Sequence, residues 1–97
     1  MNPIEHALIA VMAANSGDTR TALAHISSAQ RGARVTARRE RQIVQIAALM
    51  VDGRRERAAG LALEHAAEFQ GDAELLTRVS HGAIPPMEPL GRESSDA

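Results

Sequence analysis

The side chains best able to bind a metal or transfer a proton in this 97-residue chain are four histidines. They are His6, His25, His65 and His81. Zinc sites draw three or four ligands from histidine, cysteine and carboxylate side chains, but the chain has no cysteine and no histidine pair four residues apart. We therefore predict no metal site. His65 falls on the apolar face of a helix, where we expect it to bond a loop carbonyl or a carboxylate such as Glu68 or Asp52.

No residue pattern in the chain matches a catalytic or cofactor-binding motif. Gly17 and Gly53 are isolated glycines and do not form a glycine-rich phosphate loop, and no serine occupies a nucleophile elbow. The lack of cysteine excludes thiol chemistry and disulfides. The sequence therefore predicts a protein that is not an enzyme and carries no cofactor.

Arginine supplies all eleven basic residues, and their distribution along the chain is uneven. Residues 20–57 carry nine arginines against three acids, a net charge of +6, whereas residues 58–97 carry two arginines against seven acids, a net charge of −5. Blocks of opposite charge can steer a partner or favour head-to-tail self-association, although solvated helix faces give the same pattern. The use of arginine without lysine is typical of GC-rich coding and indicates a bacterial source.

The arginine-rich block also permits an alternative function. Five of its members could contact phosphates, namely Arg31, Arg34, Arg38, Arg39 and Arg41. Binding of single-stranded nucleic acid also uses aromatic side chains for base stacking, and the cluster contains none. A small nucleic-acid-associated regulator that uses residues 20–57 is therefore our second hypothesis for function, and nucleic acid is the less expected partner.

Two stretches of the chain repeat one pattern with an offset of 36 residues. Residues 9–26 read IAVMAANSGDTRTALAHI, and residues 45–65 read QIAALMVDGRRERAAGLALEH. Aligning Gly17 with Gly53 matches an apolar run, the glycine, four polar residues and an alanine (Ala22 or Ala58) that opens a second apolar run. A period of about 20–50 residues is typical of stacked helical arrays, so the pattern predicts two helix–turn–helix units.

Five helices separated by turns account for the whole apolar pattern. They span residues 3–15, about 19–30, 36–51, about 54–69 and about 73–81. We expect N-caps at Asn2, at Asp18 or Thr19, and at Asp72, and a loop at residues 31–35. The third helix is apolar on almost all sides, as expected of a helix that is buried on two of them.

The apolar runs and the terminal segments of the sequence predict the cellular location of the protein and the extent of its folded domain. No apolar run approaches the roughly 18 residues of a membrane span, and residues 1–11 lack the basic start and continuous apolar centre of a secretion signal. We predict a cytoplasmic protein with no membrane partner. Residues 1–82 would form the helical domain, and residues 83–97 would be disordered because they are polar and contain proline, glycine and serine.

A glycine followed five residues later by alanine, between two amphipathic helices, resembles the signature of the tetratricopeptide repeat. Small residues occupy the family's small-residue positions in the first unit, at Ala10, Ala22 and Ala29. In the second unit Ala58 fits, whereas Ile46 and His65 replace small residues; the usual aromatic residues and terminal proline are missing. The resemblance covers about residues 3–81 and implies an all-α short solenoid of two such repeats plus a closing helix.

The second half of the chain is similar to one branch of this family. Residues 36–76 read TARRERQIVQIAALMVDGRRERAAGLALEHAAEFQGDAELL. They resemble bacterial relatives of tetratricopeptide-repeat protein thirty-eight, which share an acid- and arginine-rich helix start, a Gly-Arg turn, and a phenylalanine followed by a turn and an aspartate.

The resemblance implies a concave binding groove built from the first helix of each unit. Carried over by position, the groove residues are Ala7, Val11, Ala14, Glu40, Ile43, Ala47, Met50 and Val51. Its basic rim would be Arg34, Arg38, Arg39 and Arg41. Such an apolar strip with polar edges suits a partner helix or an extended apolar peptide. Two other interpretations remain open, namely that these side chains pack in the core or that they bury a homodimer face.

Our first hypothesis for function follows from this groove. We expect a non-catalytic protein–protein interaction module or dimerising scaffold, whose partner is a protein, a peptide or a second copy of the chain. Two units fall short of the roughly three repeats that such stacks need for stability, so burial against a partner would supply the missing contacts.

Overall fold

The computed structural model describes residues 1–81, which form five α-helices, one short 3-10 turn and no strand. The helices are α1 (Pro3–Asn15), α2 (Thr19–Ala33), α3 (Arg38–Val51), α4 (Arg55–Glu68) and α5 (Ala73–His81), and the 3-10 turn (Gln70–Asp72) joins α4 to α5. The predicted all-α architecture with five helices is confirmed. The predicted disordered tail, residues 83–97, lies outside the described residues.

Local capping explains where the first two helices begin. The side chain of Asn2 accepts a hydrogen bond from the backbone N–H of Glu5 (2.9 Å), and the Glu5 carboxylate accepts one from the backbone N–H of Asn2 (3.0 Å). This reciprocal pair is a capping box. At the start of α2, Asp18 accepts from the backbone N–H of Thr21 (3.2 Å), and hydrogen bonding from Thr21 lowers the pKa of Asp18. Both predicted N-caps are confirmed.

The connection between α2 and α3 differs from the prediction. α2 continues to Ala33. The observed loop is therefore shorter than the predicted loop of residues 31–35 and begins later in the chain. The hydroxyl of Thr36 donates to the carbonyl oxygen of Ala33 (2.9 Å) and so closes the end of α2, instead of starting the next helix. α3 begins at Arg38, after an N-cap at Ala37 that makes no side-chain bond.

The two units of the repeat turn in the same way. Gly17 and Gly53 have φ angles of +83° and +81°, a left-handed conformation that costs residues with a Cβ atom about 1–2 kcal/mol. After α1, the N–H groups of Gly17 and Asp18 donate to the carbonyls of Ala14 (3.1 Å) and Ala13 (2.8 Å). The same two bonds recur 36 residues later with the same lengths. This is the Schellman helix ending, and the offset read from the sequence is also the offset of the backbone.

Replacement of Gly53 by alanine tests this assignment of the turn. We expect the Gly53→Ala variant to lose about 1–2 kcal/mol of unfolding free energy, because the left-handed backbone conformation is strained for alanine and not for glycine. The measurement is urea unfolding followed by circular dichroism. Gly53→Asn is the matched control and should lose less, because asparagine tolerates this conformation. Equal stability of wild type and Gly53→Ala would contradict the assignment.

The core is built around α3, which contacts α1, α2, α4 and α5. Five of its side chains are buried: Ile43, Val44, Ile46, Ala47 and Met50. The interpretation of the third helix as the central one is therefore confirmed. The small-residue positions of the first unit (Ala10, Ala22 and Ala29) are at most 1 % exposed, and small side chains at such contacts let helix axes approach closely.

Candidate interaction surface

The residues predicted to line an open groove lie mostly inside the protein. Five of the eight are at most 6 % exposed: Ala7, Val11, Ile43, Ala47 and Met50. The other three, Ala14, Glu40 and Val51, are half-buried. α1 packs directly on α3, and α5 contacts both. Most of these side chains therefore pack in the core, which is one of the interpretations that the sequence left open, because α1 and α3 approach one another through small residues.

The predicted basic rim is largely engaged within the protein. Arg38 pairs with Glu68 of α4 at 3.0 Å, and Arg41 donates to a backbone carbonyl of the α2–α3 connection at 2.6 Å. Arg39 is bound to a carboxylate described below, and Arg34 is exposed at the C-terminal end of α2. Phosphate binding by three of the four guanidinium groups would therefore have to compete with an intramolecular partner.

A different apolar groove is open to solvent between α4 and α5. Its volume is about 560 Å³. The apolar residues that line it are Met50, Ala59, Ala62, Leu63, Ala66, Ala73 and Leu76. Arg55, Glu56 and Thr77 complete the lining. Leu63 is 74 % exposed and lies at the edge of this contiguous apolar surface, and contiguous exposed apolar surface, unlike a single exposed residue, is typical of interaction sites.

The position of this α4/α5 groove follows from the packing of the helices. α4 packs on α3 and on α5, and a further face of α4 forms the groove together with α5. Of the apolar lining residues, Ala59, Leu63 and Ala73 are exposed, Ala62 and Ala66 are half-buried, and Leu76 is buried.

Charged and polar side chains fix the turn that leads into α5. We call this group the Asp72 cluster; its members are Arg39, Gln42, His65 and Asp72. Asp72 accepts two hydrogen bonds from Arg39, each of 2.7 Å, and a third from Nε2 of His65 at 2.7 Å. Nδ1 of His65 lies 2.6 Å from the side-chain oxygen of Gln42. The cluster thereby ties α3 and α4 to the 3-10 turn that positions α5.

The cluster corrects two predictions made from the sequence. The buried position of His65 is confirmed, since the residue is 1 % exposed, and so is a carboxylate partner, but that carboxylate belongs to Asp72 and not to Glu68 or Asp52. Asp72 was predicted to cap the fifth helix, whereas its carboxylate turns back to α3 and α4. A carboxylate with three donors nearby, two of them from one guanidinium, is better satisfied there than at an exposed helix end.

Electrostatics within the cluster keep Asp72 ionised. Hydrogen bonding from Arg39 lowers the pKa of Asp72 below its ordinary value, with a smaller effect in the same direction from His65, against the opposing effect of burial. The same bond raises the pKa of Arg39. The side chain of Asp72 is 9 % exposed and that of Arg39 is 37 % exposed. Arg39 also contacts Glu40 at 3.2 Å.

Two histidines that are distant in sequence meet on the α1–α2 hairpin. Nδ1 of His6 lies 2.8 Å from Nδ1 of His25, so one ring donates and the other accepts. Sequence spacing gave no sign of this contact, because it joins two helices whose register is set by packing. Among residues 1–81, no group of three or more histidine, cysteine, aspartate or glutamate side chains could hold a metal ion.

The α4/α5 groove was not predicted from the sequence, although α4 carries a signal for it. Ala58, Leu61 and His65 lie on one face of α4, and Ala58 and His65 on this face are buried. Ala59 and Leu63, four residues apart, give the same helix a second apolar face. A helix with two apolar faces either packs against neighbours on both faces or leaves one face exposed. In α4 the face with Ala59 and Leu63 is exposed.

None of the helices within residues 1–81 is long and apolar enough to cross a membrane. No protein-family model matches the chain, no curated protein is significantly similar to it, and no solved structure matches it. The resemblance to tetratricopeptide repeats therefore stays a prediction.

Proposed function

We propose that this chain is a non-catalytic protein-interaction module that receives a partner helix in the α4/α5 groove. The observation that carries the proposal is the groove itself, with an apolar lining and with Leu63 74 % exposed at its edge. An amphipathic helix laid into an apolar groove is a common mode of protein recognition. The partner would bury side chains that are now in contact with water, and this burial is the driving force for binding.

The lining of the groove suits a helix better than a small molecule. Ala59, Ala62 and Ala66 form its α4 wall, and side chains this small let a second helix approach to an axial distance of about 8–10 Å. Leu63 supplies the largest exposed apolar side chain of the lining, whereas Leu76 is only 5 % exposed. Arg55 and Glu56 lie in the first turn of α4, where charges of both signs would orient a partner more than they would tighten its binding.

The proposal agrees with the resemblance to tetratricopeptide repeats, whose helical hairpins bind protein segments, but it places the binding surface elsewhere. We also propose membership of that family and a bacterial, cytoplasmic setting, in keeping with the use of arginine without lysine. The nucleic-acid alternative gains no support from the contacts of Arg38, Arg39 and Arg41.

Photo-cross-linking from within the groove tests the proposal. A photoreactive phenylalanine at position 59 should form an adduct with a protein when the full chain is expressed in its own cells. Leu63→Glu should lower the adduct yield by about tenfold or more, because a carboxylate would be buried without a partner. The matched control is the same photoreactive residue in place of Ala24, an exposed alanine of α2, which should give no adduct.

Two results would contradict the proposal. One is an equal yield of adducts from positions 59 and 24, which would mean that the adducts form by random collision with other proteins and not by binding in the groove. The other is a yield from position 59 that Leu63→Glu leaves unchanged. Mass spectrometry of the adduct identifies the partner as this chain or another protein.

A further inference from the structure

The part of the chain that follows α5 starts close to the α4/α5 groove. α5 ends at His81, and Thr77, about one helical turn earlier, lines the groove. At a rise of about 1.5 Å per residue, the two residues are about 6 Å apart along the helix axis. The three residue steps from His81 to Ile84 can span about 10 Å. The residues after α5 are therefore within reach of the groove.

The sequence of these residues favours an extended backbone. Pro85, Pro86 and Pro89 fix their own φ angles near −65°, and Ile84 and Glu88, which each precede a proline, are disfavoured in the α-helical region. Five of the seven residues from 84 to 90 are thus biased toward polyproline II geometry. A segment restricted in this way loses less conformational freedom on docking than an unrestricted one.

Polyproline II geometry would place the apolar side chains of this segment on one face. Ile84, Met87 and Leu90 recur at intervals of three, and polyproline II has three residues per turn. At about 3.1 Å per residue, the face from Ile84 to Leu90 is about 19 Å long. The α4 wall of the groove runs from Arg55 to Ala66 and is about 16–17 Å long at the rise of an α-helix. The apolar face and the groove therefore match in length.

We propose that residues 84–90 of the same chain occupy the α4/α5 groove, with Ile84, Met87 and Leu90 against its apolar lining. Docking buries these side chains together with Ala59 and Leu63, which are exposed in the described part of the chain, and this burial is the driving force. Because the segment is tethered to α5, its effective concentration at the groove is on the order of millimolar. A contact that would be weak between separate molecules is therefore sufficient.

The consequence of this docking rests on the proposed function, because the partner helix would bind in the same groove. The partner then has to displace residues 84–90. Its apparent affinity is reduced in proportion to the fraction of chains whose groove is open. The segment thus regulates access to the groove.

Disulfide trapping in the full chain tests the docking, because the chain has no cysteine of its own. Met87→Cys is combined with Ala59→Cys in the groove lining or with Ala67→Cys as the matched control. Ala67 is also an exposed alanine of α4, but it does not line the groove. The effective concentration of each cysteine pair is measured at equilibrium with glutathione. The product is counted only at the mass of one chain, 10.3 kDa, so that links between two copies are excluded.

The decisive comparison removes the apolar face from the segment. Ile84→Ser together with Leu90→Ser keeps the three prolines and the length of the segment. We expect this change to lower the effective concentration for the pair at position 59 by at least about tenfold, because the docked state is lost. The pair at position 67 forms only by chance encounter of the tethered segment with α4, so its value should change by less than about twofold.

Two results would overturn the proposal: the serine substitutions leave the value at position 59 unchanged, or they lower the values at positions 59 and 67 equally. Adducts of another protein with the photoreactive residue at position 59 would in that case leave the proposed function standing. If docking and partner binding both occur, the serine substitutions should raise the yield of these adducts about twofold or more. If trapping supports docking but the serine variant gives no adduct with another protein, residues 84–90 are the groove's own occupant and the proposed function fails separately.

Discussion

The Ile43→Ala variant should lose about 2–5 kcal/mol of unfolding free energy, the range measured for large-to-small substitutions in protein cores. Ile43 is 0 % exposed and lies at the centre of α3, the helix that contacts the other four. Alanine would leave a cavity that these helices cannot fill without moving. A domain of this size is stable by only about 5–15 kcal/mol, so one substitution would remove a large share of the total.

Urea unfolding followed by circular dichroism measures this loss, and the same experiment separates two interpretations of Ile43. A residue that lined an open groove would affect binding while leaving stability almost unchanged. Val35→Ala is the control, because Val35 is 88 % exposed and surface substitutions usually change stability by less than about 0.5 kcal/mol. A similarly small effect of Ile43→Ala would restore the interpretation of α1 and α3 as a binding surface.

The features that the sequence predicted well are those decided by a few neighbouring residues. The cap at Asn2 depends on Glu5, three positions away, and the left-handed turns depend on Gly17 and Gly53 themselves. The 36-residue repeat made the second turn predictable from the first. The central position of α3 was equally clear, because a helix with apolar side chains on all sides has few other places in a small protein.

The features that the sequence did not predict depend on how closely the helices approach. Whether Val11 and Ile43 face solvent or the core is decided by the small residues around them, such as Ala7 and Ala47, which belong to different helices. The pattern of apolar residues is identical in both cases. Position-by-position comparison with longer repeat arrays favoured the open surface, whereas contacts among α1, α3 and α5 bury most of these residues.

The Asp72 cluster illustrates a second limit. Arg39 and Asp72 are 33 residues apart in the sequence. Each could be assigned a role without the other: Arg39 as a charge on the rim of the groove, and Asp72 as the N-cap of the fifth helix. Nothing in the spacing connects them, because the contact depends on the path of α4 between them. His65 offered the best indication, since a fully buried histidine needs polar partners for its ring nitrogens.

The Asp72→Asn variant should lose about 2–3 kcal/mol of unfolding free energy at pH 7. Removing one partner of a buried ion pair costs about 3–5 kcal/mol, and we reduce this range because the Arg39 side chain is 37 % exposed and partly screened by water. The amide nitrogen of asparagine would also face donors of Arg39 or His65. Each kcal/mol corresponds to about 4–8 °C in Tm for a domain of this size, so calorimetry gives a second measurement.

The dependence of this loss on pH tests its electrostatic origin. Because the pKa of Asp72 is lowered in the folded protein, its contribution is fully present above the unfolded-state pKa of about 3.9 and is lost as pH falls through the folded-state value. The stability difference between wild type and Asp72→Asn should therefore be constant near neutral pH and shrink below about pH 4. Asp52→Asn is the matched control: Asp52 pairs with Arg54 at 3.1 Å, but both side chains are more than half exposed, and such pairs contribute about 0–1 kcal/mol. If the two variants lost equally little, the Asp72 cluster would not hold α5 in place, and the wall of the α4/α5 groove would depend on apolar packing alone.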